Sequence, residues 1–131
     1  MCIRFIYDSN QKNKILDTLP DPFPVWKLMG RDGHTEYVSE RWEPKIRRGI
    51  NKAGIYKAHR SYLTYKPGYH AFISHEAAVL ALDCHGILGC IFPSLHIRQF
   101  WARKEWVTTM GRCNSTYHNQ QCVVLSYIEK R

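Results

Sequence analysis

The segment from Lys66 to Ser74, KPGYHAFIS, sets out a turn, a strand and a helix start in immediate succession. Pro67 presets one backbone dihedral, and Gly68 accepts the left-handed conformation that a tight turn asks of the next residue. Tyr69, Ala71 and Ile73 then share one strand face, with His70 and Phe72 on the other. Ser74 is placed to cap a helix through Glu76, Ala77, Ala78, Val79, Leu80, Ala81 and Leu82. A strand leading directly into a short apolar helix points to an α+β fold. The expected architecture is a mainly antiparallel sheet of about four to six strands with one principal helix at about 75–83.

The rest of the chain supplies strand material broken by turn residues. Residues 1–7 read as an opening strand with Ile3, Phe5 and Tyr7 on one face and Cys2, Arg4 and Ile6 on the other. Asp8 to Lys14 is polar and reads as a loop or a frayed helical start. The prolines of Leu19–Pro20–Asp21–Pro22–Phe23–Pro24 argue against a regular interior element, because each removes an amide donor and constrains its neighbour. Val25 to Met29 reads as a strand, Gly30 to Gly33 as a turn, and Glu36 to Val38 as its returning partner. Residues 40–48 read as irregular, because Pro44 interrupts the Trp42/Ile46 spacing.

After the helix, Gly86 and Gly89 permit a tight return. Cys90–Phe92, Leu95–Trp101 and Cys122–Ile128 carry strand-forming residues, with Pro93 separating the first two. Glu105 to Met110 reads as a short turn and Gly111 to Gln121 as a surface loop. Val123–Val124–Leu125 suits a central place in the sheet, and the helix is expected to pack on the strand containing it. At 131 residues, with no repeat, low-complexity tract or linker, residues 1–131 are expected to form a single compact domain.

Charge is the strongest global signal. The formal charge is +8, and between Arg41 and Arg60 seven basic residues (Arg41, Lys45, Arg47, Arg48, Lys52, Lys57, Arg60) face one acid, Glu43. Such an excess focuses a positive potential and favours an anionic partner, DNA or RNA ahead of an acidic protein. The alternative is a solvated face that maintains solubility. The longest apolar run, Ala77 to Leu82, is far short of the roughly twenty residues that cross a membrane, so no membrane partner is expected. Without an apolar leader, an intracellular location is the default, in host cytoplasm or nucleoid or nucleus if the chain is viral.

Five cysteines (Cys2, Cys84, Cys90, Cys113, Cys122) leave one over in any complete pairing, so reduced thiols are the simpler reading. Cys113 and Cys122 could still meet across a hairpin. Two Cys/His groups invite a zinc reading: Cys84, His85, Cys90 and His96, and Cys113, His118 and Cys122. Their spacing contains no C-x-x-C pair, and no metal is expected. Phosphate-loop, dinucleotide-loop, metalloprotease and nucleophile-elbow motifs are absent, and no cofactor is expected.

His70 is the best single candidate for chemistry, since a strand end is a rigid support and imidazole titrates near neutrality. An enzyme built on it would be a small nucleotide-handling or transferase-like protein, with Arg60 on a phosphate and Tyr62 or Tyr69 orienting a base. The competing reading is a core histidine packed beside Phe72. Trp101 and Trp106, near Arg98 and Arg103, and Trp42 and Tyr56 in the basic segment, are either base-stacking platforms or core.

Gly68–Tyr69–His70–Ala71–Phe72 followed by Ala77–Ala78, together with Val25–Trp26–Lys27, resembles small uncharacterised proteins of bacteriophages and other viruses. These carry a glycine–aromatic–histidine–x–phenylalanine strand before an alanine-containing helix. The resemblance implies a viral or mobile-element origin and a compact α+β fold, and brings no activity with it. The expected function is a basic accessory protein that binds an anionic partner, nucleic acid ahead of an acidic protein.

Overall fold

The computed structural model describes residues 3–30, 45–54, 65, 66, 68–84, 96–113 and 120–131. Eight strands form one antiparallel sheet: β1 (Ile3–Ile6), β2 (Phe23–Met29), β3 (Gly49–Lys52), β4 (Tyr69–Phe72), β5 (His96–Ala102), β6 (Val107–Cys113), β7 (Gln121–Leu125) and β8 (Tyr127–Lys130). Two helices accompany it, α1 (Ser9–Asp17) and α2 (His75–Cys84), with a 3-10 turn at Lys104–Trp106. The α+β class and the antiparallel sheet agree with expectation. The expected four to six strands and single helix do not: the described residues hold eight strands and two helices.

Each extra element has a local cause. In α1 the Asp8 carboxylate accepts from the Gln11 amide at 2.8 Å while the Gln11 side chain accepts from the Asp8 amide at 3.3 Å. This reciprocal cap starts a helix in a stretch whose polarity reads as loop. Only its last turn reaches the core, through Ile15 and Leu16. The sequence of β3, GINK, has a single large apolar residue because it is an edge strand, and Ile50 is 61% exposed. The expected turn and loop over 105–121 contain β6, whose Thr108, Thr109 and Gly111 hide its alternation.

Strand boundaries also shift. The ladder between β1 and β6 is irregular between Ile3 and Phe5, so Ile3 is buried while Phe5 and Ile6 are exposed. The regular two-face alternation expected of residues 1–7 is broken there. Pro24 lies within β2, opposite Trp101 of β5, although the proline-rich run argues against a strand. It is tolerated because β2 and β4 are registered only at Trp26↔Phe72, leaving one side of β2 unladdered at Pro24. Glu36–Val38 and Cys90–Phe92 lie outside the described residues.

The strand order is β1-β6-β7-β4-β2-β5-β8-β3. Consecutive strands β7 and β8 are separated in the sheet by β4, β2 and β5, yet only Ser126 lies between them in the chain. Four inter-strand steps span roughly 19 Å in a flat sheet. Cα atoms two residues apart are separated by at most about 7 Å. The sheet must therefore curl on itself. Ser126 marks the corner: its amide donates to the Trp106 carbonyl at 2.9 Å and its carbonyl accepts from the Ala53 amide at 2.9 Å. The single strand expected over Cys122–Ile128 is thus two strands with different neighbours.

Curling creates two apolar clusters. Phe23, Val25, Met29, Tyr69, Ala71, Phe100, Met110, Val123, Leu125 and Ile128 fill one face. The other gathers Ile3, Leu28, Phe72, Cys113, Cys122 and Val124 beneath α2. In β4 the expected alternation holds, with Tyr69 and Ala71 in the first cluster and Phe72 in the second. The expected cap also holds: Ser74 Oγ accepts from the Ala77 amide at 3.0 Å. Ala77, Ala78 and Ala81 are buried, their small side chains letting α2 approach the sheet closely. Its main supports are β2, β5 and β4 rather than the expected Cys122–Ile128 segment, whose Cys122 and Val124 share only the same buried cluster.

Gly68 is required for a different reason from the one its turn suggests. Its backbone is not left-handed; a Cβ there would lie 2.5 Å from the Leu125 carbonyl oxygen and 2.8 Å from Val124 Cγ1. The glycine lets the chain enter β4 flush against β7.

Candidate anion-binding cleft

Of the seven basic residues between 41 and 60, Lys45, Arg47, Arg48 and Lys52 are described, and all four are exposed. Arg41, Lys57, Arg60 and Tyr62 lie outside the described residues. Asn51 organises the approach to β3: its side-chain oxygen accepts from the Arg47 amide at 2.8 Å, and its side-chain nitrogen donates to the Arg47 and Gly49 carbonyls at 2.7 and 3.0 Å. Gly49 has φ +96°, a left-handed conformation that this tight passage needs. The result holds Arg47 and Arg48 on the outside of the sheet edge. From there β3 pairs with β8, placing Lys52 opposite Tyr127.

Beside that pair the corner at Ser126 opens into a cleft of about 490 Å³ lined by Lys52, Ala53, Gly54, Lys66, Thr108, Ser126 and Tyr127. Among the described residues two lysines line it and no carboxylate does, so their charge favours an anion. Thr108 Oγ1 donates to the Val124 carbonyl at 3.1 Å and Ser126 Oγ to the Trp106 carbonyl at 3.3 Å. Both of these hydroxyl protons are thus held by the main chain, and the Lys52 and Lys66 ammonium groups are the cationic donors of the lining. Behind the cleft, the Tyr69 hydroxyl donates to the Lys52 carbonyl at 3.1 Å and fixes the end of β3 to β4.

Lys66, Thr108, Ser126 and Tyr127 are the residues that sequence reasoning does not gather. Lys52 and Tyr127 meet through a pairing 75 positions apart in sequence, and no local pattern announces such a pairing. The one available hint is Lys66 itself, a cation beside the most strongly patterned turn in the chain.

His70 lies elsewhere. It is 2% exposed and does not line this cleft. Its Nε2 is hydrogen-bonded to the Tyr65 hydroxyl at 3.1 Å, which in turn accepts from the Ile3 amide at 3.0 Å. The phenol oxygen thus accepts from the Ile3 amide while the hydroxyl meets the imidazole nitrogen. His70 thus ties β4 to β1 through Tyr65. Its main-chain carbonyl accepts from the ammonium of Lys27, which is also 2% exposed. Continuing the single β2–β4 pair would set Leu28 opposite His70; the lysine head reaches across where that ladder stops.

The aromatic candidates separate as well. Trp106 is buried, with the Arg103 guanidinium 5.9 Å from its ring centroid and Tyr127 packed at 5.7 Å. Trp101 is partly exposed, but Arg131 covers its ring at 4.1 Å. Neither offers an open stacking platform in this arrangement. Trp42 and Tyr56 lie outside the described residues.

Of the two Cys/His groups, Cys113 and Cys122 come together, while His85, Cys90 and His118 lie outside the described residues. Among the described residues, no three His, Cys, Asp or Glu side chains gather as metal ligands. No helix there is long and apolar enough to cross a membrane.

Compared with known protein families, curated proteins and solved structures, the chain has no match.

Proposed function

We propose that the protein binds nucleic acid through its phosphates, with Lys52 and Lys66 receiving a phosphate in the cleft at Ser126. Lys45, Arg47 and Arg48 contact the flanking backbone from the segment that leads into β3. The observation that carries this reading is the convergence of Lys52 and Lys66 on one cleft whose described lining residues include no carboxylate. The exposed cations Lys45, Arg47 and Arg48, on the segment leading into β3, add to the positive charge on this side of the chain. Because Trp106 is buried and the Trp101 ring is covered by Arg131, phosphate contact rather than stacking on these rings supplies the affinity. The interaction is then tolerant of sequence and strongly dependent on salt.

Fluorescence anisotropy with labelled single-stranded and duplex oligonucleotides tests this directly. Four phosphate contacts predict an affinity loss of about a hundredfold between 50 and 200 mM salt. Replacing both lysines, Lys52→Glu with Lys66→Glu, is expected to weaken binding by at least about tenfold at low salt and to flatten the salt dependence. Absence of DNA and RNA binding at low salt would overturn the reading. Capture of an acidic protein that the double variant loses would then assign the cleft to a protein partner instead.

A further inference from the structure

Cys113 is the last residue of β6 and Cys122 the second of β7. Gly111 stands opposite Cys122, and the Cys113 amide donates to the Gln120 carbonyl at 2.9 Å. The two cysteines are therefore diagonal neighbours on one face of adjacent strands. Both side chains are buried in the cluster beneath α2, beside Phe72, Val124, Ala77 and Ala78. Gly111 presents no side chain of its own beside Cys122, which leaves room for the two thiols to turn toward each other.

Their sulfurs are 2.6 Å apart. Non-bonded heavy atoms in ordinary contact are separated by about 3.5–4 Å. Two thiolates sharing a tetrahedral zinc ion, with zinc–sulfur bonds of about 2.3 Å, would hold their sulfurs about 3.8 Å apart. The separation is thus too short for a metal-bridged pair, and no third ligand accompanies it among the described residues. What fits two sulfurs brought this close is a covalent bond between them.

We propose that Cys113 and Cys122 form a dithiol modification site that small-molecule disulfides convert into an internal disulfide. The thiolate of one cysteine attacks a sulfur of glutathione disulfide, forming a mixed disulfide and releasing one glutathione thiolate. The second cysteine, as thiolate, attacks the cysteine sulfur of that mixed disulfide and releases the second glutathione. One S–S bond breaks in the oxidant and one forms in the protein. Two electrons pass from the pair to glutathione, and the two thiol protons end on the released glutathione thiols.

The closed fold restrains this step. The Cys122 thiol is held in its protonated form, its acidity lowered first by the hydrogen bond with Cys113 and then by burial. Attack therefore follows local opening of the β6–β7 pair or of α2, while the equilibrium favours closure because the partner sulfur is already in place.

Trypsin provides a direct readout, since residues 113–130 contain no internal lysine or arginine and leave as one peptide carrying both cysteines. The full chain is equilibrated in glutathione buffers of increasing oxidation, alkylated in denaturant, digested and weighed. The expected product is an unalkylated 113–130 peptide two hydrogens lighter than its reduced form. The folded chain should reach half-closure at about tenfold less oxidised glutathione than the chain in denaturant, through the higher effective concentration of the partner thiol. Cys113→Ser and Cys122→Ser should each stop at a stable glutathione adduct. Peptides that remain doubly alkylated across the series would overturn the proposal. So would bonding of either residue to another cysteine, or half-closure no easier in the folded chain. If the serine variants fail to fold, the wild-type measurement still decides.

Discussion

Gly111→Ala is expected to destabilise the protein by about 3 kcal/mol, read as a lower denaturation midpoint in urea. A Cβ at this position would overlap the Phe5 carbonyl oxygen and sit 2.6 Å from Ile3 Cγ2. The obstacle is main chain on a paired strand, with Ile6 opposite Gly111, so no flexible side chain can swing away. Either β1 lifts off the sheet edge or β6 deforms beside the thiol pair. Gly49→Ala makes an informative comparison. There the added Cβ meets nothing within 4 Å, and only the φ of +96° opposes it. That substitution should cost about 1–2 kcal/mol. Equal losses at the two positions would show that close strand approach is not what demands glycine at 111.

Lys27→Ala should be comparably damaging, with a loss of about 4 kcal/mol in the same assay. Lys27 alternates with Val25 and Met29 of β2 and is buried with them, its ammonium donating to the His70 carbonyl. Truncation leaves a cavity along the path of the stem and removes a donor from a buried carbonyl. Lys27→Met separates the two contributions, since methionine refills most of the stem volume and brings no donor. Its loss should be at least about 2 kcal/mol smaller than that of Lys27→Ala, because relief from burying an ammonium offsets part of the lost hydrogen bond. If methionine and alanine prove equally costly, the hydrogen bond to His70 rather than the packed stem carries the effect.

Lys27 also shows where sequence reading stops. In VWKLM a lysine between apolar residues belongs, by ordinary expectation, on a solvated face. Nothing local reveals that a β4 carbonyl will lie within reach of its ammonium there. The segment around His70 is the opposite case: alternation in YHAF, the Ser74 cap and the alanine-rich face of α2 are all local, and all are present in the fold. Strands with little apolar content, GINK and VTTMGRC, are recognisable only through partners distant in sequence. The cleft follows the same division. Lys52 belongs to a visible cluster of charge, but its companions Lys66, Thr108 and Tyr127 are brought to it by the corner at Ser126.

That corner has a kinetic consequence. The nine residues of β7 and β8, with Ser126 between them, supply partners to β6, β4, β5 and β3. Apart from β6 with β7, these pairings join stretches separated by roughly thirty to eighty residues, so each requires closure of a long loop before any contact rewards it. During synthesis the earlier strands emerge without the segment that joins them. The curled sheet can close only after β7 and β8 have followed the other six strands out of the ribosome, making its closure a largely concerted event rather than a stepwise one.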